Sequence, residues 1–170
     1  GQDTSREPHD LVKLVNEVLA LVGHMSRFRD RVITFAASGT CQLEINGPQI
    51  KQVVLNLVAN AVKFTEDGGV VRVRLETTAG EAVLVVSDTG IGIPIEEQDG
   101  LFERFFRSST AQEQAIQGTG LGLSIVASVV QALLVLDLAL VALFLDLVLF
   151  ARGDLGPHLR IGFDVLHAVV

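Results

Sequence analysis

Residues 56–63, Asn-Leu-Val-Ala-Asn-Ala-Val-Lys, carry two patterns at once. Val53, Val54, Leu57, Ala61 and Val62 recur at the spacing of a helix that packs on a core. Asn56, Asn60 and Lys63 stand at i, i+4 and i+7, so they share the opposite face. A solvated helix face would explain three polar residues. Two amides and a lysine aligned beside a glycine loop do more, because they form a surface for cations and phosphates. An Asn carbonyl oxygen is a hard, neutral ligand that suits Mg²⁺, an ion that keeps waters and takes phosphate oxygens. Lys63 adds a mobile point charge for phosphate.

Two glycine blocks follow. In Asp88-Thr89-Gly90-Ile91-Gly92-Ile93-Pro94, Asp88 ends an apolar run. A carboxylate at a strand end can accept a hydrogen bond from the amino group of adenine, which guanine lacks at that position. Gly90 and Gly92 would let the backbone approach the base, although an Asp-Thr-Gly turn is common in any protein. In Gly118-Thr119-Gly120-Leu121-Gly122-Leu123, a glycine loop runs into a helix expected to begin near Leu121. Free N–H groups and the positive dipole end there form a phosphate cradle. The dinucleotide-fold reading of this loop fails, since no strand immediately precedes it. Between the blocks, Leu101-Phe102-Glu103-Arg104-Phe105-Phe106-Arg107 puts three aromatics in a polar loop, as a hydrophobic clasp would. Ser108 to Gln117 is polar and suits a lid.

Periodicity extends the reading outward. A helix is predicted from Pro8 to about Gly23, with Leu11, Leu14, Val15, Val18, Leu19 and Val22 as its apolar stripe. Strands are predicted over 32–36 and 40–45, and the second helix over 49–64 after an Asn46-Gly47-Pro48 turn. Val70, Val71, Val73 and Leu75 alternate with Arg72, Arg74 and Glu76, a strand with one wet face. Ala79-Gly80 turns the chain into a second strand over 82–87, so the two form an antiparallel hairpin. No period holds from Gly90 to Gln117, and residues 120–132 are helical again. The order implies an α+β fold: a two-layer sandwich of a mixed β-sheet with helices on one face and a long lid.

The chain has 170 residues, 49% hydrophobic and 19% charged, enough for one domain with a sizeable core. Its formal net charge of -7 disfavours a nucleic-acid partner. A nucleotide site must therefore gather positive charge locally, from Lys63, helix N-termini and a bound metal. Cys41, the single cysteine, cannot form an internal disulfide and reads as a small core residue in a reducing compartment. The polar start, Gly1 to Pro8, is no signal peptide and looks like the cut edge of a longer protein.

Taken in order, these blocks resemble the N box, the first glycine box, the F box and the second glycine box of the bacterial sensor histidine kinase catalytic domain, of the Bergerat-type nucleotide fold. Gln52-Val53-Val54-Leu55-Asn56 and Lys63-Phe64-Thr65 resemble the usual flanks of its N box. The resemblance runs from about Asp10 to Gln131 and implies a domain over residues 8–132 that binds ATP and Mg²⁺. It implies that Asn60 holds the magnesium, that Asn56 and Lys63 are catalytic, and that Asp88 reads adenine. It further assigns Gly90, Gly92, Ile93, Phe102, Phe105, Gly118, Thr119, Gly120, Leu121 and Gly122 to nucleotide binding. The implied activity is delivery of the ATP γ-phosphate to a histidine on a separate dimerisation domain, with a response regulator downstream. The implied location is the cytoplasm, with any membrane contact made by other parts of the parent. The alternatives are a nucleotide-dependent binding module, such as an anti-sigma partner switch, or an ATPase of the topoisomerase or chaperone type. Hydrolysing members carry a glutamate where Asn56 sits; an amide has no usable basicity and cannot deprotonate water. The phosphoacceptor histidine of sensor kinases is followed by an acidic residue and an Arg-Thr-Pro run. His9, His24, His158 and His167 lack that sequel, so the chain alone should not phosphorylate itself.

After Gln131 the resemblance stops. The family continues with a Gly-Gly turn, two strands and a glycine-rich hairpin, whereas residues 132–150 here are nearly all Leu, Val and Ala, with Asp137 and Asp146 as the charges. Residues 133–170 thus read as an atypical apolar tail: frameshifted or redesigned, a set of substitute strands, or a membrane span burdened by two aspartates. The sharp loss of resemblance favours the first. On that reading, a chain ended after Ala132 keeps its nucleotide binding and is at least as soluble as the full chain, because it loses an apolar run. Solubility and nucleotide titration of the shortened chain check this; unfolding on truncation would assign the tail to the sheet.

Overall fold

The computed structural model describes residues 5–25, 30–78 and 81–136. Most of the expected tail, residues 137–170, lies outside the described residues. The elements run β1 (Glu7–Asp10), α1 (Leu11–Gly23), β2 (Val32–Ala37), β3 (Gln42–Ile45), α2 (Gly47–Phe64), β4 (Val70–Thr78), β5 (Glu81–Asp88), a 3₁₀ turn (Ile95–Gly100), α3 (Ser109–Glu113) and α4 (Gly122–Leu136).

The sheet is mixed, as expected. Its order is β2-β4-β5, with β2 parallel and β5 antiparallel to β4. The β4–β5 hairpin keeps a single register from Val71 opposite Asp88 to Thr78 opposite Glu81. The alternation in β4 holds residue by residue: Val71, Val73 and Leu75 are buried, and Arg72, Arg74 and Glu76 are exposed. β5 continues the inner face with Ala82, Leu84 and Val86. Onto that face pack α1, through Leu14, Val15, Val18 and Val22, and α2, through Val53, Val54, Leu57, Val58, Ala61 and Val62. Each valine fully removed from water here stabilises the fold by roughly 1.5 kcal/mol or more. α2 is the central helix, touching α1, α4, β4 and β5.

Beyond shifts of one residue at the ends of β2 and β5, the boundaries that differ from the sequence expectation lie at β1, β3, α2 and α4. Residues 7–10 are a strand rather than helix. They pair antiparallel with β3 in a separate two-stranded sheet, and α1 starts only after Asp10, whose carboxylate accepts the N–H groups of Val12 (3.0 Å) and Lys13 (3.4 Å). β3 begins at Gln42, opposite Asp10, because its partner β1 gives way to α1 at Leu11, whose N–H still donates to the Cys41 carbonyl at 2.8 Å. α2 starts two residues early, at Gly47, because Asn46 caps it by accepting the Gln49 N–H at 3.0 Å. α4 starts at Gly122 and continues to Leu136, past the expected end at Ala132.

The fold brings the end of α2 and the end of β5 together. The last turn of α2 meets the loop after β5, where the Phe64 carbonyl accepts the Ile91 N–H at 3.1 Å. Thr89 pins the same loop to the sheet: its Oγ1 accepts the Val70 N–H at 3.0 Å, and its own N–H donates to the Val70 carbonyl at 3.1 Å.

The cap on α2 sets the start of the central helix. Asn46→Ala should lower stability by about 1 kcal/mol or somewhat more, while Asn46→Asp, which keeps the acceptor, should recover much of it. Urea denaturation followed by circular dichroism checks both.

Candidate nucleotide-binding site

A cavity of about 830 Å³ opens between α2, the loop after β5, the lid segment and the start of α4. That volume lies within the range of ligand and cofactor pockets. From α2, Asn56, Asn60 and Lys63 all line it, as their shared face requires. Asp88, Gly92 and Ile93 line it from the first glycine block, and Gly118, Thr119, Gly120, Leu121 and Gly122 from the second.

The two glycine blocks are held by close approach. A Cβ on Gly90 would collide with the Phe64 carbonyl, so the loop can reach the end of α2 only with glycine there. Gly90 thus shapes the seam and is not itself part of the cavity wall. Gly120 has φ +68°, and its carbonyl accepts the Phe105 N–H at 2.9 Å. A Cβ there would lie 2.6 Å from the Phe106 oxygen. This left-handed residue explains why α4 starts at Gly122 rather than near residue 120. The start of α4 then faces the amides: a Cβ on Gly122 would lie 3.3 Å from Asn60 Nδ2 and 3.9 Å from Asn56 Oδ1. Gly118 lies against Lys63, whose Nζ also stands 4.5 Å over the Phe64 ring.

Asp88 is 3% exposed. Its Oδ1 accepts the Gly90 N–H at 2.7 Å, while Oδ2 is buried with no hydrogen-bond partner. Burial raises its pKa to about 6, partly opposed by the Gly90 bond. Asn56 Nδ2 is likewise buried without a partner. Such orphans are costly unless something else completes them. Here one acceptor and one donor belong to side chains that line the same cavity, which is what a site for a polar ligand leaves open.

The aromatic block is only partly as expected. Phe102 packs on the core and does not line the cavity. Phe105 does not line it either: with φ 65° its side chain is turned out and 71% exposed. Its backbone N–H, rather than its ring, serves the site. Phe106, next in sequence, takes the inward place, lining the cavity and packing beside Gly100. The lid is also more ordered than its lack of periodicity suggested. Ser108 caps α3, and Ala111, which the sequence did not single out, is buried against the cavity. In a Phe-Phe pair one ring has to face inward, but spacing alone does not say which.

Among the described residues no group of three His, Cys, Asp or Glu side chains could hold a metal ion. A cation here would depend on Asn oxygens and on oxygens brought by the ligand. That donor set fits Mg²⁺ carried with phosphates and does not fit a protein-caged transition metal.

Comparison with known proteins agrees with this geometry. Residues 45–140 match the family model of the histidine kinase-, DNA gyrase B- and HSP90-like ATPases. The chain is 39% identical over 129 residues to the signal transduction histidine-protein kinase/phosphatase MprB of Mycobacterium tuberculosis, covering 71% of this chain and 25% of that protein. It is 44% identical over 89 residues to the sensor histidine kinase TmoS of Ectopseudomonas mendocina, covering 52% of this chain and 9% of TmoS. Among solved structures, mycobacterial sensor histidine kinase MprB superposes with a TM-score of 0.67 at 37% identity, covering 74% of this chain and 80% of that one. The histidine kinase ThkA in complex with response regulator protein TrrA superposes with a TM-score of 0.55 at 27% identity, over 60% of this chain and 31% of that one. The chain therefore belongs to the histidine kinase-, DNA gyrase B- and HSP90-like ATPase family, and its fold is that of a sensor histidine kinase catalytic domain. It spans a quarter or less of the length of these curated relatives.

The raised pKa of Asp88 has a signed consequence. A carboxyl whose pKa rises from 3.8 unfolded to about 6 folded stabilises the fold fully below about pH 4 and loses that contribution as pH passes 6. In the unliganded chain, Asp88→Asn should therefore gain stability relative to wild type between pH 4 and 6, the gain levelling at about 3 kcal/mol near pH 7. Thermal melts of both proteins across that range check it; a difference that stays flat with pH would contradict it.

Proposed function

We propose that the chain is the ATP-binding catalytic domain of a two-component sensor histidine kinase, and that it delivers the γ-phosphate of Mg-ATP to a histidine on the dimerisation domain of its parent. The observation that carries this is the buried Asp88 Oδ2, an acceptor without a partner inside a cavity also lined by Asn56, Asn60 and Lys63. The amino group of adenine completes Asp88; the guanine carbonyl, having no proton to donate, leaves it unpaired.

With the base at Asp88, Gly92 and Ile93, the phosphates extend toward Lys63 and the N-terminus of α4, where N–H groups and the dipole favour anions. Asn60 would hold Mg²⁺ through its carbonyl oxygen. When bound, the ion neutralises charge on the β- and γ-phosphates. Lys63 adds a positive charge at Gly118, and the Asn56 amide donates to a phosphate or a water without acting as a base. The protein's share of phosphoryl transfer is then positioning and charge neutralisation, and the nucleophile comes from the partner's imidazole nitrogen. The bond from the γ-phosphorus to the bridging oxygen breaks, a phosphorus–nitrogen bond forms, and ADP leaves. A response regulator is the downstream acceptor, in line with ThkA, which has been solved with TrrA. ATP supply places the domain in the cytoplasm. The ATPase reading is disfavoured by Asn56, which offers no general base.

Three measurements test this. Calorimetry should show ADP and ATP binding at least about fivefold tighter than GTP, since a buried carboxylate left unpaired costs roughly 1–3 kcal/mol; equal affinity for GTP would remove Asp88 from its role. Asn60→Ala should weaken Mg²⁺-dependent binding while the melting curve stays nearly unchanged, and a collapsed melt would make Asn60 structural. With the parent's purified dimerisation domain added, labelled phosphate should appear on its histidine; free phosphate without that domain would favour the ATPase.

A further inference from the structure

The lid is tied from outside itself at one notable point. The Glu97 carboxylate, on the 3₁₀ turn, accepts the Ser109 backbone N–H with both oxygens, Oε1 at 3.2 Å and Oε2 at 3.0 Å. Ser109 opens α3, a helix of five residues. So short a helix has no stability of its own in water and must be held by its surroundings. Three other side-chain bonds in the region are internal to it. Ser108 Oγ accepts the Ala111 N–H at 3.3 Å, Gln112 Nε2 donates to the Arg107 carbonyl at 2.8 Å, and Arg107 Nη2 donates to the Ile116 carbonyl at 2.6 Å. These shape the segment but do not fix it to the body of the domain. The Glu97 bond does, because the 3₁₀ turn follows directly on the first glycine block.

The tie also has the right sign and the right load. A carboxylate at the N-terminus of α3 meets the positive end of its dipole, and the bond is charge-assisted. What it holds is part of the cavity wall, since Ala111, 3% exposed, and Ile116 both line the cavity from the lid. The position of α3 decides whether that wall stands before a ligand arrives.

We propose that Glu97 is a positioning residue for nucleotide retention: it anchors α3 so that the lid wall is formed in the unliganded chain and slows release of bound nucleotide. This rests on the reading of the cavity as a nucleotide site. Glu97 touches no ligand and acts only through Ser109 and α3.

The test uses the full chain with two readouts. Hydrogen exchange of a peptide spanning residues 107–121 is followed without nucleotide, and release of the fluorescent analogue mant-ADP is followed by stopped flow with excess ADP as chase. Glu97→Ala should speed lid exchange and mant-ADP release by about fivefold each, with exchange in α1 and β4 unchanged. Glu97→Gln, which keeps an acceptor oxygen but loses the charge, should fall between Ala and wild type. Glu96→Ala, at the exposed neighbouring position, should match wild type. Lid exchange and release equal to wild type in Glu97→Ala, beside intact wild-type binding, would overturn the role of Glu97 alone. Failure of the wild type to bind mant-ADP would instead overturn the nucleotide reading and retention with it.

Discussion

The bond from the Ile91 N–H to the Phe64 carbonyl, across a gap that only glycine at position 90 permits, is the constraint on which the site depends. It joins the end of the central helix to the loop that leaves β5. Through that join the helix face bearing Asn56, Asn60 and Lys63 meets the carboxylate of Asp88. Neither element could make the site alone. A side chain at position 90 would wedge them apart and separate Asn56, Asn60 and Lys63 from Asp88.

The core supplies the stability that this arrangement consumes. Inner-face residues of β4 and β5 and the apolar faces of α1 and α2 are buried in one continuous cluster. Against that background the chain tolerates buried polar atoms without partners at Asp88 Oδ2 and Asn56 Nδ2. Each costs on the order of 1–3 kcal/mol. Both side chains line the same cavity, together with a glycine held at positive φ and the start of a helix. Local energetic losses gathered in one place are the usual mark of a site formed for a ligand. The acidic net charge makes the local positive sources, Lys63 and the N-terminus of α4, matter more.

The parts legible in the sequence were those whose period is carried by side-chain chemistry. Arg72 and Arg74 between Val71, Val73 and Leu75 specify a half-wet strand, and the helix spacing of Asn56, Asn60 and Lys63 specifies a common face. Other features depend on partners distant in sequence. Residues 7–10 are a strand only because β3 lies beside them, and no four-residue pattern announces that. Phe105 and Phe106 were indistinguishable until the backbone turned left-handed at the first and drove the second inward. The order within the lid comes from single bonds, such as that between Glu97 and Ser109, which leave no periodic trace. After Gln131 the sequence of α4 runs on through apolar residues with neither Gly nor Pro, so it carries no visible end.

On the function proposed for the chain, Asp88 is a buried acceptor completed by an adenine amino group. The most direct measurement is the carbon-13 titration of the Asp88 carboxyl in the free chain and in the chain saturated with ADP or GDP. The free carboxyl should titrate at about 6. ADP should lower that midpoint, because a hydrogen bond donated to the ionised form favours it, and GDP should not. A midpoint that ADP leaves unmoved, or that GDP lowers equally, would contradict the account.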